Sequence, residues 1–313
     1  MKIGIDLGGT NLVVALCKEN GELINKLSVS TKVGDPEGIK ADMKMLAKKV
    51  CDERGTSYKH VTSIGLGVPG TFSKETCTFH FATNLQMENV CFADTFKPEF
   101  DVPVYIDNDG NCAALGEAVR GAGTGARNVV MVTLGTGVGG GLVIDGKLYT
   151  GTNNIAGEVG HMVIVAGGEQ CNCGRRGCME RYCAATALIR MANEALDASG
   201  EESSLRAVRE TNGKLTAKDV CDARDGGDAL ADRVFDSYCD YLACGLTNLI
   251  NILQPDCIVL GGGVSGYGEK LLAPLREKIK REPQFMVNDK PTPIAIATLG
   301  NDAGLIGAAL LKR

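Results

Sequence analysis

The chain has 313 residues, 44% of them hydrophobic, enough for a sizeable core and for roughly two domains. Its net charge of −5, with acidic and basic residues interspersed, gives no electrostatic case for a nucleic-acid partner. No apolar run approaches the roughly 20 residues of a membrane span, and thirteen cysteines, an odd number, are too sparse for a disulfide scaffold.

A strand-like Lys2-Ile3-Gly4-Ile5-Asp6 follows Met1, so no leader is expected and the thiols read as reduced and cytoplasmic. Lys2–Asp6, Asn11–Cys17 and Leu23–Ser28 read as consecutive strands joined by Gly8-Gly9-Thr10 and by a turn containing Asn20-Gly21. Pro36–Arg54 has Ile39, Met43, Leu46, Ala47 and Val50 at helical spacing, with Asp35 as N-cap. Val61–Val68 reads as a buried strand ending at Pro69-Gly70, Val104–Asp107 as another, and Gly110–Val119 as a helix of small residues. Val129–Ile144 then repeats the opening plan of strand, glycine turn and strand. A slide of 127 positions lays Leu7 on Leu134 and Gly8 on Gly135, a faint sign of two related halves. The later half is mainly helical. Ala184–Asp197 is apolar on one face, and Asp228–Leu253 carries a stripe from Val234 to Leu253 that Pro255 stops. Cys257–Leu260 is a strand running into Gly261-Gly262-Gly263, and Asn301–Leu311 a final helix. Alternating strands and helices make the class α/β.

Three glycine turns follow strands, at Asp6–Asn11, Gly135–Gly141 and Gly261–Gly263. Each alone is an ordinary strand-end turn. Three in one chain, two of them with a threonine hydroxyl (Thr10, Thr136), point to nucleotide phosphate, because glycine lets backbone N–H groups approach phosphate oxygens. A P-loop signature is absent, and Gly135–Gly141 leads into a strand rather than the helix of a dinucleotide fingerprint. Asn108-Asp109 ends a strand. Its amide and carboxylate suit positioning a hydroxyl and taking its proton, and they suit capping the next helix equally well. His161, Cys171, Cys173 and Cys178 lie within eighteen positions and can close a four-ligand zinc site with no open position, hence structural. Glu158 and Glu180 bracket that loop, and a rigid loop offering carboxylates can grip sugar hydroxyls.

Asp6-Leu7-Gly8-Gly9-Thr10-Asn11, Asn108-Asp109 with Ala113–Glu117, the Gly135–Gly141 loop, Gly157-Glu158-Val159-Gly160-His161, Cys171–Glu180 and Gly261–Gly263 together resemble the ROK family (repressor, open reading frame, kinase), above all its bacterial-type glucokinases. One departure is Cys183-Ala184, where the family usually has a serine after the metal motif. The resemblance implies a two-domain actin/hexokinase-like ATPase fold, with ribonuclease H-like sheets flanking an interdomain cleft. It implies domains of 1–112 plus 301–313 and of 113–300, the latter carrying the zinc loop. Asp6, Gly8, Gly9, Thr10 and Asn11 are then the first phosphate turn, Gly135, Thr136 and Gly137 the second, and Gly261, Gly262 and Gly263 the adenosine side. Asn108, Asp109, Glu158, His161 and Glu180 line the hexose pocket, and Gly70 and Thr83 touch it. The implied reaction is phosphorylation of an aldohexose 6-hydroxyl by ATP, with Asp109 as base, Asp6 organising Mg²⁺ and Zn²⁺ held structurally. Glucose is the favoured substrate, with mannose, N-acetylmannosamine, N-acetylglucosamine, allose or fructose as alternatives, and polyphosphate as an alternative donor. A homodimer or homotetramer is expected. The family also contains sugar-responsive repressors. The strand at the very start of this sequence and its acidic charge argue against that reading.

Overall fold

The computed structural model describes residues 1–281 and 291–312. These residues gather into two compact units. The first takes Met1–Val129, Gly141–Ala156 and the segment from Thr298 onward, and the second takes Val130–Gly140 and Gly157–Ala297.

In the first unit β1 (Lys2–Leu7), β2 (Asn11–Cys17) and β3 (Leu23–Ser30) form an antiparallel meander. After α1 (Pro36–Asp52) comes β4 (Ser63–Val68), parallel to β1 and buried along its whole length, as a strand covered on both faces must be. Asp35 caps α1 by accepting from Gly38 N–H at 2.9 Å, and the apolar residues from Ile39 to Val50 face the core. The short strands β5 (Thr71–Ser73), β6 (Thr78–Ala82) and β7 (Met87–Cys91) make a separate antiparallel sheet that the sequence pattern did not announce. β8 (Val104–Asn108) then pairs in parallel with β4 and gives the sheet order β3-β2-β1-β4-β8. The helix α2 (Asp109–Arg120) starts directly from it.

The chain continues through β9 (Val129–Leu134), β10 (Val138–Ile144) and β11 (Lys147–Tyr149), then α3 (Glu180–Cys183), α4 (Ala185–Ala198), α5 (Ser204–Asn212), α6 (Ala217–Asp225) and α7 (Ala229–Leu253). It ends with β12 (Cys257–Gly261), α8 (Glu269–Arg281), β13 (Ile294–Ile296) and α9 (Asp302–Leu310). The second five-stranded sheet has the order β11-β10-β9-β12-β13, the same plan as the first. Both have the ribonuclease H-like order that the resemblance implies. The long helix α7 is capped by Asp228, which accepts from Leu230 and Ala231 N–H at 3.0 Å each. It stops at Gln254, whose φ of 40° is left-handed, just before Pro255. Among the described residues no helix is long and apolar enough to cross a membrane.

The expected division at 112/113 would fall inside α2, whereas the first unit runs on to Val129. Close packing keeps α2 with α9. A Cβ on Gly307 would come within 1.7 Å of the Cys112 carbonyl oxygen, and one on Gly65 within 1.8 Å of that of Ala308. Helix meets helix, and helix meets strand, at backbone contact distance, which only glycine permits. Arg313, the last residue of the expected C-terminal segment, lies outside the described residues. Glu117 reinforces the junction from within. Its fully buried carboxylate accepts from Ala122 N–H at 2.9 Å, Thr298 N–H at 3.2 Å and Leu299 N–H at 2.8 Å. Main-chain amides satisfy this buried charge in place of a cation.

Candidate active site

In the first unit, the sequence Asp6–Asn11 forms a tight reversal between β1 and β2. Gly8 N–H donates to Asn11 carbonyl at 3.0 Å, and Thr31 braces the turn, its hydroxyl donating to Gly8 carbonyl at 2.7 Å. A Cβ on Gly9 would sit 3.2 Å from Asn84 Nδ2, so Asn84 lies against the turn. Sequence reasoning placed its exposed neighbour Thr83 at the hexose pocket and did not single out Asn84. Gly70 ends the run from β4 with a φ of +78°, and a Cβ there would come 2.1 Å from Phe81 carbonyl oxygen. Its requirement is therefore steric.

Of the two readings of Asn108-Asp109, capping is seen directly. Asn108 is the N-cap of α2, its Oδ1 accepting from Gly110 N–H at 2.9 Å and Asn111 N–H at 3.4 Å. Asp109, the first helical residue, is open at its tip, yet desolvation by the surrounding protein raises its carboxyl above the ordinary range. Hydrogen bonds from Gly110 N–H and the Asn108 side chain oppose the shift without cancelling it. Asp6 feels the same desolvation together with the Asp109 charge, and is pushed up to about 6. The fold thus places the two carboxylates close enough for the Asp109 charge to add to the desolvation that opposes ionisation of Asp6.

That has a measurable consequence for the metal- and nucleotide-free protein. An acid with a raised folded pKa contributes stability that is full below its unfolded value, about 3.9, and is lost as pH climbs through the folded value. For Asp6 the window therefore runs from there to about 6. Asp6→Asn should raise the melting temperature at pH 8, by at most about 3 kcal/mol of stability, and leave it unchanged at pH 4. Thermal scans at both pH values decide this, and an equal change at the two would refute it.

In the second unit, Gly135 N–H donates to Gly137 carbonyl at 3.0 Å, closing the turn between β9 and β10 as Gly8 closes the first. α4 holds this turn from behind. Ala185 N–H donates to Gly135 carbonyl at 2.8 Å and the Thr186 hydroxyl to Thr136 carbonyl at 2.9 Å. Glu180, at the start of α3, accepts from Val138 N–H at 3.1 Å through Oε2. A Cβ on Gly137 would come 2.4 Å from that oxygen. Glu180 therefore joins the second glycine turn to the cysteine loop, a link the sequence did not show.

The cysteine loop brings the imidazole of His161 and the thiols of Cys171, Cys173 and Cys178 together, all four ligand atoms within 4.8 Å of one another. Cys173 Sγ and Cys178 Sγ are 3.6 Å apart, and Cys171 Sγ lies 3.7 Å from His161 Nδ1. A tetrahedral ion with metal–sulfur bonds of about 2.3 Å needs sulfurs about 3.8 Å apart, so the set fits zinc. The geometry is prepared by the main chain. Cys171 N–H donates to Arg175 carbonyl at 2.8 Å, Gly174 N–H to Cys171 carbonyl at 3.0 Å and Ile164 N–H to Gly177 carbonyl at 2.9 Å. His161 turns Nδ1 toward the sulfurs. Glu158, the residue before the short helix Val159–His161, is exposed.

Gly262 ends the run from β12 with a φ of +82° and is pressed to the backbone of Leu134, where a Cβ would find 2.6 Å. Gly263–Tyr267 then form a short helix. Beside it is a cavity of about 300 Å³, lined by Ala217, Lys218, Cys221 and Asp222 on one side and Gly263, Val264, Gly266 and Tyr267 on the other. The residues of α6 in this wall carry no motif and were not foreseen.

Residues 2–313 match the ROK family over essentially the full chain. The chain belongs to the ROK family. A glucokinase of Halalkalibacterium halodurans is 40% identical to this ROK chain, over 99% of it and 94% of that protein. Among solved structures, the ROK hexokinase of Thermus thermophilus is similar at a TM-score of 0.81 and 30% identity, over 99% of this chain and 97% of the other. A ROK family glucokinase from Streptomyces griseus, in complex with glucose and AMPPNP, matches at a TM-score of 0.73 and 31% identity, covering 98% and 97% of the two chains. The duplicated sheet and these neighbours make the fold actin/hexokinase-like.

Proposed function

We propose that this protein is an ATP-dependent hexose kinase that phosphorylates glucose at its 6-hydroxyl. The observation that carries the reading is the Asn108-Asp109 turn, a capped asparagine beside a carboxylate of raised pKa next to Asp6, in a chain whose full-length relative is a glucokinase. A raised carboxyl pKa makes Asp109 a better proton acceptor from an alcohol than an ordinary surface carboxylate. Asp109 takes the 6-hydroxyl proton as that oxygen attacks the γ-phosphorus in line, the bond from that phosphorus to the bridging oxygen breaks, and ADP leaves. Asn108 orients the hydroxyl, and the N–H groups of Gly9, Thr10, Thr136 and Gly137 hold phosphate oxygens. Gly8 and Gly135 shape those turns with their own N–H groups engaged. Catalysis of this kind is mostly positioning and electrostatics.

Glu158, His161 through Nε2 and Oε1 of Glu180 bind sugar hydroxyls, and Gly70 and Thr83 border that site. Mg²⁺, accompanying ATP and organised by Asp6, supplies charge neutralisation on the transferring group. Zn²⁺ on His161, Cys171, Cys173 and Cys178 supplies rigidity to the loop that carries the sugar-binding carboxylates. Gly261–Gly263 and the cavity lined by Val264, Tyr267 and α6 take the adenosine, since apolar and tyrosyl walls suit a purine face. A reducing, cytoplasmic setting suits the ligand thiols of the zinc loop.

A coupled assay over glucose, mannose, N-acetylmannosamine, N-acetylglucosamine, allose and fructose, with ATP and with polyphosphate, tests this reading. Glucose with ATP should give the highest kcat/KM. Failure to phosphorylate any hexose overturns the kinase assignment, and a different preferred sugar overturns the substrate.

A further inference from the structure

The carboxylate of Asp107 sits one residue ahead of the catalytic pair and is only 2% exposed. Its Oδ1 accepts from Asn108 N–H at 2.8 Å and from Asn111 Nδ2 at 2.9 Å, so it fixes the backbone of the turn and the first turn of α2 together. Its Oδ2 meets Lys74 Nζ at 2.5 Å, and the same ammonium donates to Thr150 Oγ1 at 3.0 Å. A carboxylate buried this deeply is costly without a paired cation, and Lys74 is the cation that an ion pair gives it.

Lys74 lies in the turn between β5 and β6, and the far end of that hairpin leads into Thr83 and into Asn84, which rests on Gly9. One small sheet, unexplained by the sequence, therefore touches the phosphate turn at one end and the catalytic turn at the other.

We propose that Lys74 is a positioning residue for phosphoryl transfer, acting through Asp107 on the turn that presents Asn108 and Asp109. The inference rests on the kinase reading above. Lys74 is not assigned a contact with either substrate, because its ammonium is already held by Asp107 and Thr150. Removing it strands a buried negative charge against the catalytic turn, and relief of that charge displaces Asn108 and Asp109. Most sugar contacts assigned above are elsewhere, so the loss should appear in kcat rather than in KM.

The test compares wild type, Lys74→Met, Asp107→Asn and the double variant, with Lys74→Arg as the conservative replacement. Misplacement of reacting groups by about 1 Å costs up to about 100-fold, so Lys74→Met should lose at least about tenfold in kcat with KM for glucose within about threefold. An asparagine in place of Asp107 keeps an oxygen for the Asn108 and Asn111 donors but carries no charge. The double variant should therefore recover to within about threefold of Asp107→Asn, a strongly non-additive cycle. Lys74→Arg should retain most of the activity. A Lys74→Met enzyme within twofold of wild type overturns the proposal, and so does a double variant as poor as the product of the two singles. Should Lys74→Met fail to fold, the double variant decides, since no unpaired buried charge remains in it. Its recovery supports the proposal and its inactivity overturns it. Wild type inactive on every hexose overturns the kinase reading and this inference with it. Active wild type with an indifferent Lys74→Met overturns the inference alone.

Discussion

Replacing Asp109 by asparagine should lower kcat for glucose by about 10³-fold, within the range of about 10² to 10⁴ for removing a general base. The dissociation constant for glucose should stay within a few-fold of wild type. The substitution keeps shape and hydrogen-bonding capacity, so the new amide still opens α2 beside the Asn108 cap. What disappears is the proton acceptor, together with the charge that adds to desolvation in raising Asp6. A second consequence follows from that pairing. With the neighbouring charge gone, Asp6 should ionise at lower pH, and the stability lost between about pH 4 and pH 6 should shrink. Steady-state kinetics and calorimetric glucose titration give the first result, and thermal scans of the nucleotide-free protein give the second. Near-normal kcat would remove Asp109 from its role, whatever the stability profile showed.

How much of this was legible beforehand depended on whether the signal lay in local geometry. Adding 127 to the bounds of β1 and β2 (2, 7, 11 and 17) gives the bounds of β9 and β10 (129, 134, 138 and 144), so the faint self-match at Leu7 and Leu134 was a true structural repeat. Glycine turns and a cysteine loop are readable because backbone geometry and metal ligation restrict residue type at fixed spacing. The β5-β6-β7 sheet was missed because its strands are three to five residues long, and positive-φ residues outside glycine interrupt them, Asn89 within β7 and Cys77 and Gln86 just before β6 and β7. Asn84 was missed, since nothing in the local sequence says which side chain meets Gly9. The reach of α2 into the first unit was also hidden. It depends on Gly307 meeting Cys112, a contact between segments far apart in the chain. Glu180 shows the limit most plainly. Its carboxylate type pointed to sugar binding, while its hydrogen bond to Val138 N–H joins two loops that the sequence treats as separate motifs.

Cys173→Ser should release zinc from about one ion per chain to nearly none, and should weaken glucose binding by about 100-fold, the upper end of the usual cost of disturbing a metal site's support. Cys173 is exposed, so serine there removes a ligand with little loss of packing, whereas Cys178 is buried and its substitution would mix the two effects. Exposed Cys91, outside the cluster, is the control, and Cys91→Ser should leave both zinc content and affinity unchanged. The physical argument concerns what else holds the loop. Glu180 keeps its place on α3 and its bond to Val138 N–H without any metal. His161 and Glu158 have a weaker hold. Beyond the His161 ring's place among the sulfurs, His161 N–H donates to Glu158 carbonyl at 3.1 Å, Arg175 donates to His161 carbonyl at 3.1 Å, and Met179 N–H donates to the carbonyl of neighbouring Met162 at 2.8 Å. Affinity should therefore fall through these two residues. Chelation of wild-type zinc should reproduce the defect, and restoring the metal should reverse it in wild type but not in Cys173→Ser. If metal analysis finds full zinc loss while glucose affinity is unchanged, the main-chain bonds of the loop alone hold the sugar-binding geometry.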